Sequence, residues 1–149
     1  FFLEIDWRAG IFALNGQLWG VLAILLASLP LIFTIANSML ANNLRDLETD
    51  IKNHRYTLVY YIGRKQGIIL FQSLMYSSYA AILLGFLFRL YHWPILIVFL
   101  TLPMIHRHLQ AHEKSLPQPQ SFGYAIKNMS LFNSSYALGL CLSIVWKFF

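Results

Sequence analysis

Three of the chain's six acidic residues, Asp46, Glu48 and Asp50, fall within five positions of the segment ANNLRDLETDIKNHRYTL, residues 41 to 58. On a helix, Asn42, Asp46 and Asp50 lie at i, i+4 and i+8 on one stripe. Asn43 sits beside them at i−3 from Asp46, and Glu48 points elsewhere. Like carboxylates one turn apart repel by about a few tenths of a kcal/mol, so the stripe asks for a cation. Hard divalent ions such as Mg²⁺ take one or two carboxylates and complete their shell with water and phosphate oxygens. Lys52, Arg55, Arg64 and Lys65 follow closely, and a phosphate group suits them. The chemistry suggested is Mg²⁺ and diphosphate at the end of a helix. The same residues also suit a solvated helix end with surface ion pairs worth about 0–1 kcal/mol each, and spacing alone leaves both readings open.

The elements that must carry this stripe belong to a membrane protein. The 149 residues are 58% hydrophobic and 11% charged, with mean hydropathy +0.57, whereas soluble domains carry about 25% charged residues. Uncharged runs extend over Ala9–Leu44, Gln66–Phe88, Leu90–His106 and Asn128–Trp146. A crossing helix needs about 20 mostly apolar residues. Helices are therefore expected near Leu18–Ala41, Gly67–Phe88, Tyr91–Ile105 and Leu131–Phe149. The third is short and contains Pro94 and Pro103, which neighbouring helices can accommodate by satisfying the freed backbone groups. The expected fold class is an all-α polytopic transmembrane helical bundle, a single membrane domain over 1–149. The opening FFLEIDWRAG lacks the basic region, apolar core and small-residue site of a cleavable signal peptide.

Basic residues give an orientation. The connections around 42–66 and 106–127 hold Arg45, Lys52, Arg55, Arg64, Lys65, Arg107, Lys114 and Lys127, against Arg8, Arg89 and Lys147 on the opposite side. Both long connections are expected in the cytoplasm. The net charge of +5 then reflects topology and anionic lipid, and no nucleic-acid partner is expected. Cys141 is the lone cysteine and is expected to pack within an apolar helix without redox chemistry. SLPQPQSFG, residues 115–123, is expected to be an irregular connection.

HRHLQAH, residues 106–112, sets His108 and His112 one turn apart, a spacing able to share a metal. No fourth ligand or nearby helical glutamate completes a zinc pattern, so a basic interfacial segment is expected. Lys127 and Asn128 open the last helix, where their polar edge either closes an active site or anchors the helix.

The run NNLRDLETDIKNHRYTL resembles the second aspartate-rich motif of the UbiA superfamily of intramembrane aromatic prenyltransferases. The likeness is greatest to the branch that makes demethylmenaquinone from 1,4-dihydroxy-2-naphthoate. That pattern, N-N-x-R-D-x-x-x-D followed by a basic residue and T-L, is met by Asn42, Asn43, Arg45, Asp46, Asp50, Arg55, Thr57 and Leu58. Two departures stand out: His54 occupies the place of a usual glycine, and Arg55 that of a more usual lysine. The family's first motif, N-D-x-x-D-x-x-x-D, is absent. The resemblance thus covers a C-terminal half, about four helices of an expected nine, and implies a missing N-terminal half of the same protein as partner.

What the resemblance implies is transfer of a polyprenyl group from an allylic polyprenyl diphosphate to an aromatic acceptor, in a bacterial cell membrane with the motif cytoplasmic. Asp46 and Asp50 would be catalytic metal ligands for Mg²⁺, with Asn42 and Asn43 as further ligands or orienting groups. Arg55, Lys52 and Arg45 would contact the diphosphate. The bilayer would take up the prenyl chain, and Tyr76, Tyr79, Phe86 and Phe88 are candidates to line its tunnel. Two other function classes are a cation-binding transporter or channel subunit and an inactive structural remnant. Transport pathways mark themselves with ionisable residues inside spans, and no span here securely holds one.

Overall fold

The computed structural model describes residues 4–6, 11–13 and 18–146. Arg8 and Lys147, counted above for orientation, lie outside them, as does the expected helix end at 147–149. Short strands β1 (Glu4–Asp6) and β2 (Ile11–Ala13) pair antiparallel, Ile5 opposite Phe12. The remainder is an all-α polytopic bundle: α1 (Leu18–Lys52), α2 (Leu58–Ile62), α3 (Arg64–Leu87), a 3-10 helix (Trp93–Thr101), α4 (Leu102–Ser115) and α5 (Gln120–Trp146).

Among the described residues, three helices are long and apolar enough to cross a membrane: α1, α3 and α5. The third hydrophobic segment takes another form from the α-helix expected at Tyr91–Ile105. It winds as a 3-10 helix from Trp93 to Thr101 and becomes α-helical only from Leu102, running on to Ser115. Pro94 and Pro103 each stand in the first turn of their element, where a missing N–H costs least. A proline at 103 has no N–H to give to the carbonyl four residues earlier, so one α-helix through both elements is disfavoured.

The 3-10 helix and α4 nevertheless form one rod alongside α5. Trp93 meets Trp146 with ring centroids 5.0 Å apart, the backbone N–H of His92 donates to Ser143 Oγ at 2.7 Å, and His112 reaches the Ser121 carbonyl at 3.1 Å. Nine residues at about 2.0 Å and fourteen at about 1.5 Å make a rod of roughly 39 Å. It runs antiparallel to α5. Gly139 permits the approach, since a Cβ there would lie 3.1 Å from Ile95 Cδ1 and 3.3 Å from the Ile95 Cα.

Helix α1 packs on α3 and α5. Asn37 faces Met75, and a Cβ on Gly67 would stand 2.9 Å from Leu44 Cδ2, so the absent side chain lets the two helices close up next to the acidic stripe. Toward α5, Thr34 Oγ1 lies 3.0 Å from Asn133 Oδ1, and the Tyr136 hydroxyl donates to the Ala27 carbonyl at 2.8 Å. The Tyr136 proton is thereby used, so Tyr91 is the donor across the 2.9 Å contact between the two hydroxyls. Phe71, Met75, Tyr79, Ile82, Ile95, Val98, Phe132 and Tyr136 fill the centre.

Two boundaries move. Helix α1 extends eleven residues past Ala41 to Lys52, and α5 begins at Gln120 instead of Leu131. Cys141 is exposed on α5 and not part of the packed interior. The α1–α3 and α4–α5 connections emerge at the same end of the bundle, because Arg45 meets Phe122 there. Cysteines introduced at Asn53 and Gln118, in a chain with Cys141→Ser, should therefore react with an impermeant thiol reagent from one and the same side of sealed vesicles. Labelling from opposite sides would contradict the shared end of the two connections.

Candidate functional site

The stripe forms because α1 does not stop at the membrane surface. At about 1.5 Å per residue its 35 residues extend roughly 52 Å, well beyond a hydrocarbon core of about 30 Å. Its last three turns carry Asn42, Asp46 and Asp50 in unbroken register. Beside them lies the start of α5.

Arg45 organises this end. Its Nε and Nη2 hold the two oxygens of Asp46 at 2.6 and 2.5 Å, and Nη2 also donates to Asn42 Oδ1 at 2.7 Å. The guanidinium lies over the Phe122 ring, 5.0 Å from its centroid, a placement that adds cation–π attraction. Phe122 escaped the sequence reading; the only signal available was its position near the start of the last helix.

Asp50 sits differently. Its side chain is 8% exposed, and the nearest cation is Arg55, whose Nη1 stands 3.6 Å from Oδ1 while the rest of that side chain is 71% exposed. The chain after α1 folds back to bring Arg55 there: its N–H donates to the Asp50 carbonyl at 2.8 Å, and the N–H of His54 to that of Ile51 at 3.1 Å. His54 makes the turn at φ +54°. That is the left-handed region favoured by glycine and visited by histidine more readily than by β-branched residues, so His54 can hold the turn.

Glu48, on the other face, joins Arg64 at 2.6 Å and ties the start of α3 to α1. Lys52 is exposed in the last turn of α1, and Asn43 is half-buried next to Asp46. Among the described residues neither side chain has a hydrogen-bond or ion-pair partner.

No three His, Cys, Asp or Glu side chains among the described residues gather as a metal site. The donor set still suits Mg²⁺ as part of a shell: two carboxylates and two amide oxygens, all hard ligands. Asp50 supplies the physical reason, since a buried carboxylate with one loose counter-charge is poorly compensated. Arg45 already bonds both oxygens of Asp46, so a metal there must take the remaining lone pairs or displace the guanidinium fork.

The histidines disperse. His106 Nδ1 lies 2.6 Å from the Tyr76 hydroxyl on α3, His108 Nδ1 lies 2.8 Å from Asn128 Oδ1, and His112 Nδ1 lies 3.1 Å from the Ser121 carbonyl. Their acceptors put the protons of His108 and His112 on Nδ1. His112 is fully buried against Phe71, beyond the apolar run that ends at Ile105, and burial pushes its imidazole down to about 4. Asn128 is thus a buried partner of α4, while Lys127 is exposed over the Tyr124 ring. The aromatics also separate. Tyr79 is packed against Phe132 and Phe99, Tyr76 lies on the outer α3–α4 face, and Phe86 and Phe88 are at the far end of α3.

An antiparallel bundle of membrane-crossing helices with a carboxylate–amide stripe at one end defines a polytopic membrane protein. A match to the UbiA prenyltransferase family extends over residues 8–133, most of the chain, and the chain belongs to that family, whose members transfer prenyl groups to aromatic acceptors. No curated protein and no solved structure matches it. Family membership lends nothing to the transporter, channel or remnant readings.

His54→Val should lower unfolding stability by about 1–2 kcal/mol, because a β-branched side chain is strained at positive φ, whereas His54→Gly should be tolerated; thermal unfolding in detergent reads both. For His112 the folded pKa lies below the unfolded one, so the unfolded chain binds the proton first. Stability should be full above about pH 6.5 and fall as pH drops toward about 4, with His112→Gln flattening that part of the profile.

Proposed function

We propose that this chain supplies half of the active site of a Mg²⁺-dependent prenyltransferase that moves a polyprenyl group from an allylic polyprenyl diphosphate to 1,4-dihydroxy-2-naphthoate in menaquinone biosynthesis. The observation that carries the reading is the buried, undercompensated Asp50 on one stripe with Asn42 and Asp46, at the end of a membrane helix. Asp46 and Asp50 would ligate the metal, and Asn42 and Asn43 would ligate it or orient its waters. The ion, when bound, supplies positive charge against the departing pyrophosphate.

Residues of this chain would do the rest of the positioning at this end. Arg55 and Lys52 lie at the aqueous edge, within the same turn and loop as Asp50, and would receive diphosphate oxygens. Arg45 pre-sets Asp46 through its fork, and the same planar geometry fits a phosphate once the carboxylate turns to a metal. In the reaction the allylic C–O bond breaks and pyrophosphate keeps the electron pair. The electron-rich ring then forms the new C–C bond and regains aromaticity as the electron pair of the C–H or C–carboxylate bond at the attacked carbon returns to the ring and a proton or CO₂ departs. A long prenyl chain partitions into the bilayer while its charged head stays at the surface, which suits a site at helix ends.

The opposing aspartate-rich motif would come from a preceding half of the same protein. The distribution of basic residues supports a cytoplasmic location for this end of the bundle, and the resemblance to the demethylmenaquinone branch is what suggests a bacterial cell membrane.

The test uses this chain joined to, or co-expressed with, a half bearing the first motif. Prenyl transfer should require Mg²⁺ and should fall by at least a hundredfold in Asp46→Asn and Asp50→Asn, with membrane insertion unchanged. Residues 1–149 alone should give no product. Near-normal turnover by both variants at limiting Mg²⁺ would overturn the assignment.

A further inference from the structure

Lys127 belongs to none of the chemistry above. It is exposed on α5, with Nζ 5.7 Å from the centroid of the Tyr124 ring. With His108 on α4 it borders a groove of about 680 Å³ whose other walls are Met104, Ile126, Ser130, Leu131 and Ser134. The groove lies apart from the acidic stripe. Helix α5 meets α1 through Phe122, Met129, Asn133 and Tyr136, whereas Lys127, Leu131 and Ser134 are on a different face of the same helix, with Ile126 and Ser130 at the border between the two.

We propose that this groove binds one anionic phospholipid, with its phosphate at Lys127 and an acyl chain along Met104 and Leu131. Depth is the first argument. Helix α5 starts at the end of the bundle where the charged connections emerge, and Lys127 is in its second turn. Ser134 lies roughly 10 Å deeper and, on α4, Met104 roughly 6 Å deeper than His108. A cationic mouth at the membrane surface therefore leads to a mostly apolar floor in the hydrocarbon, the order of parts in a phospholipid.

Charge is the second argument. Lys127, Arg107 and Lys114 form no ion pair with a carboxylate among the described residues, and the neighbouring Glu113 is taken up by Gln72 on α3 at 3.0 Å. Basic pockets between membrane helices near the surface favour anionic headgroups. A choline headgroup would set its own cation beside Lys127 and lose that advantage. The serine hydroxyls of Ser130, one turn below Lys127, are at the depth of the glycerol esters and can donate to them.

The test places a bimane fluorophore at Leu138→Cys, exposed on α5 one turn deeper than Ser134 and outside the groove's walls, in a Cys141→Ser chain reconstituted in phosphatidylcholine vesicles. Acyl-brominated phosphatidylglycerol should quench it at about fivefold lower mole fraction than acyl-brominated phosphatidylcholine. Lys127→Gln should abolish the preference, and Lys114→Gln should leave it in place. Millimolar inorganic phosphate should not relieve the quenching; if it does, the groove is a site for free anions and the lipid assignment fails. Equal quenching by the two lipids would show an unselective lipid boundary, and no quenching by either would show a groove covered by polypeptide. Both would overturn the proposal. Native mass spectrometry of unlabelled Lys127→Gln and parent chains gives a second reading without the fluorophore: retained phosphatidylglycerol should drop severalfold in the variant, and equal retention counts against it.

Discussion

A helix inside a bilayer cannot break its own hydrogen-bond ladder without cost, because no water is there to replace the lost partners. That constraint governs α1. Its apolar half stays helical through Pro30, which leaves only the Leu26 carbonyl without its helix partner, and nothing in the following residues interrupts the ladder before Lys52. The register set in the membrane therefore passes intact into the charged end. Asn42, Asp46 and Asp50 share a stripe because the helix that carries them continues in phase from Leu31 to Lys52.

The interior of the bundle keeps that helix in place with polar contacts as well as apolar ones. In lipid the apolar surface of a helix gains little by meeting another helix, so close packing and hydrogen bonds between helices carry more of the association. Gly67 brings α3 against Leu44, and the hydroxyls of Thr34, Tyr91 and Tyr136 link α1, α5 and the segment before the 3-10 helix. These contacts fix the rotation of α1 about its axis. With it they fix which of its charged residues face α5 and which face the start of α3.

Division of labour among the charges follows. Arg45 and Asp46 pair beneath Phe122, Glu48 and Arg64 tie two helices together, and Asp50 remains buried with only a loose counter-charge. Exposed pairs of this kind contribute little stability, but the Asp46 fork is an ordered geometry that a second cation must share or undo. The least compensated carboxylate is the one most ready for a metal.

The sequence by itself determined that the chain is a polytopic helical membrane protein, where three of its spans lie, and that Asn42, Asp46 and Asp50 share a face. These follow from hydropathy and helical period, which act over a few turns and need no partner. Family membership was legible for a similar reason, since the pattern from Asn42 to Leu58 is a local run. Tertiary structure decided the rest. The turn at His54 and the return of Arg55 to Asp50 depend on a backbone conformation that composition does not encode. The cover of Phe122 over Arg45 joins residues far apart in the chain. The 3-10 winding of Trp93–Thr101 arises where two prolines meet the close approach to Gly139, and the three histidines of HRHLQAH part company because α3 and α5 offer them different partners. Helical spacing states which residues share a face, but only the packing of neighbouring helices settles what that face meets.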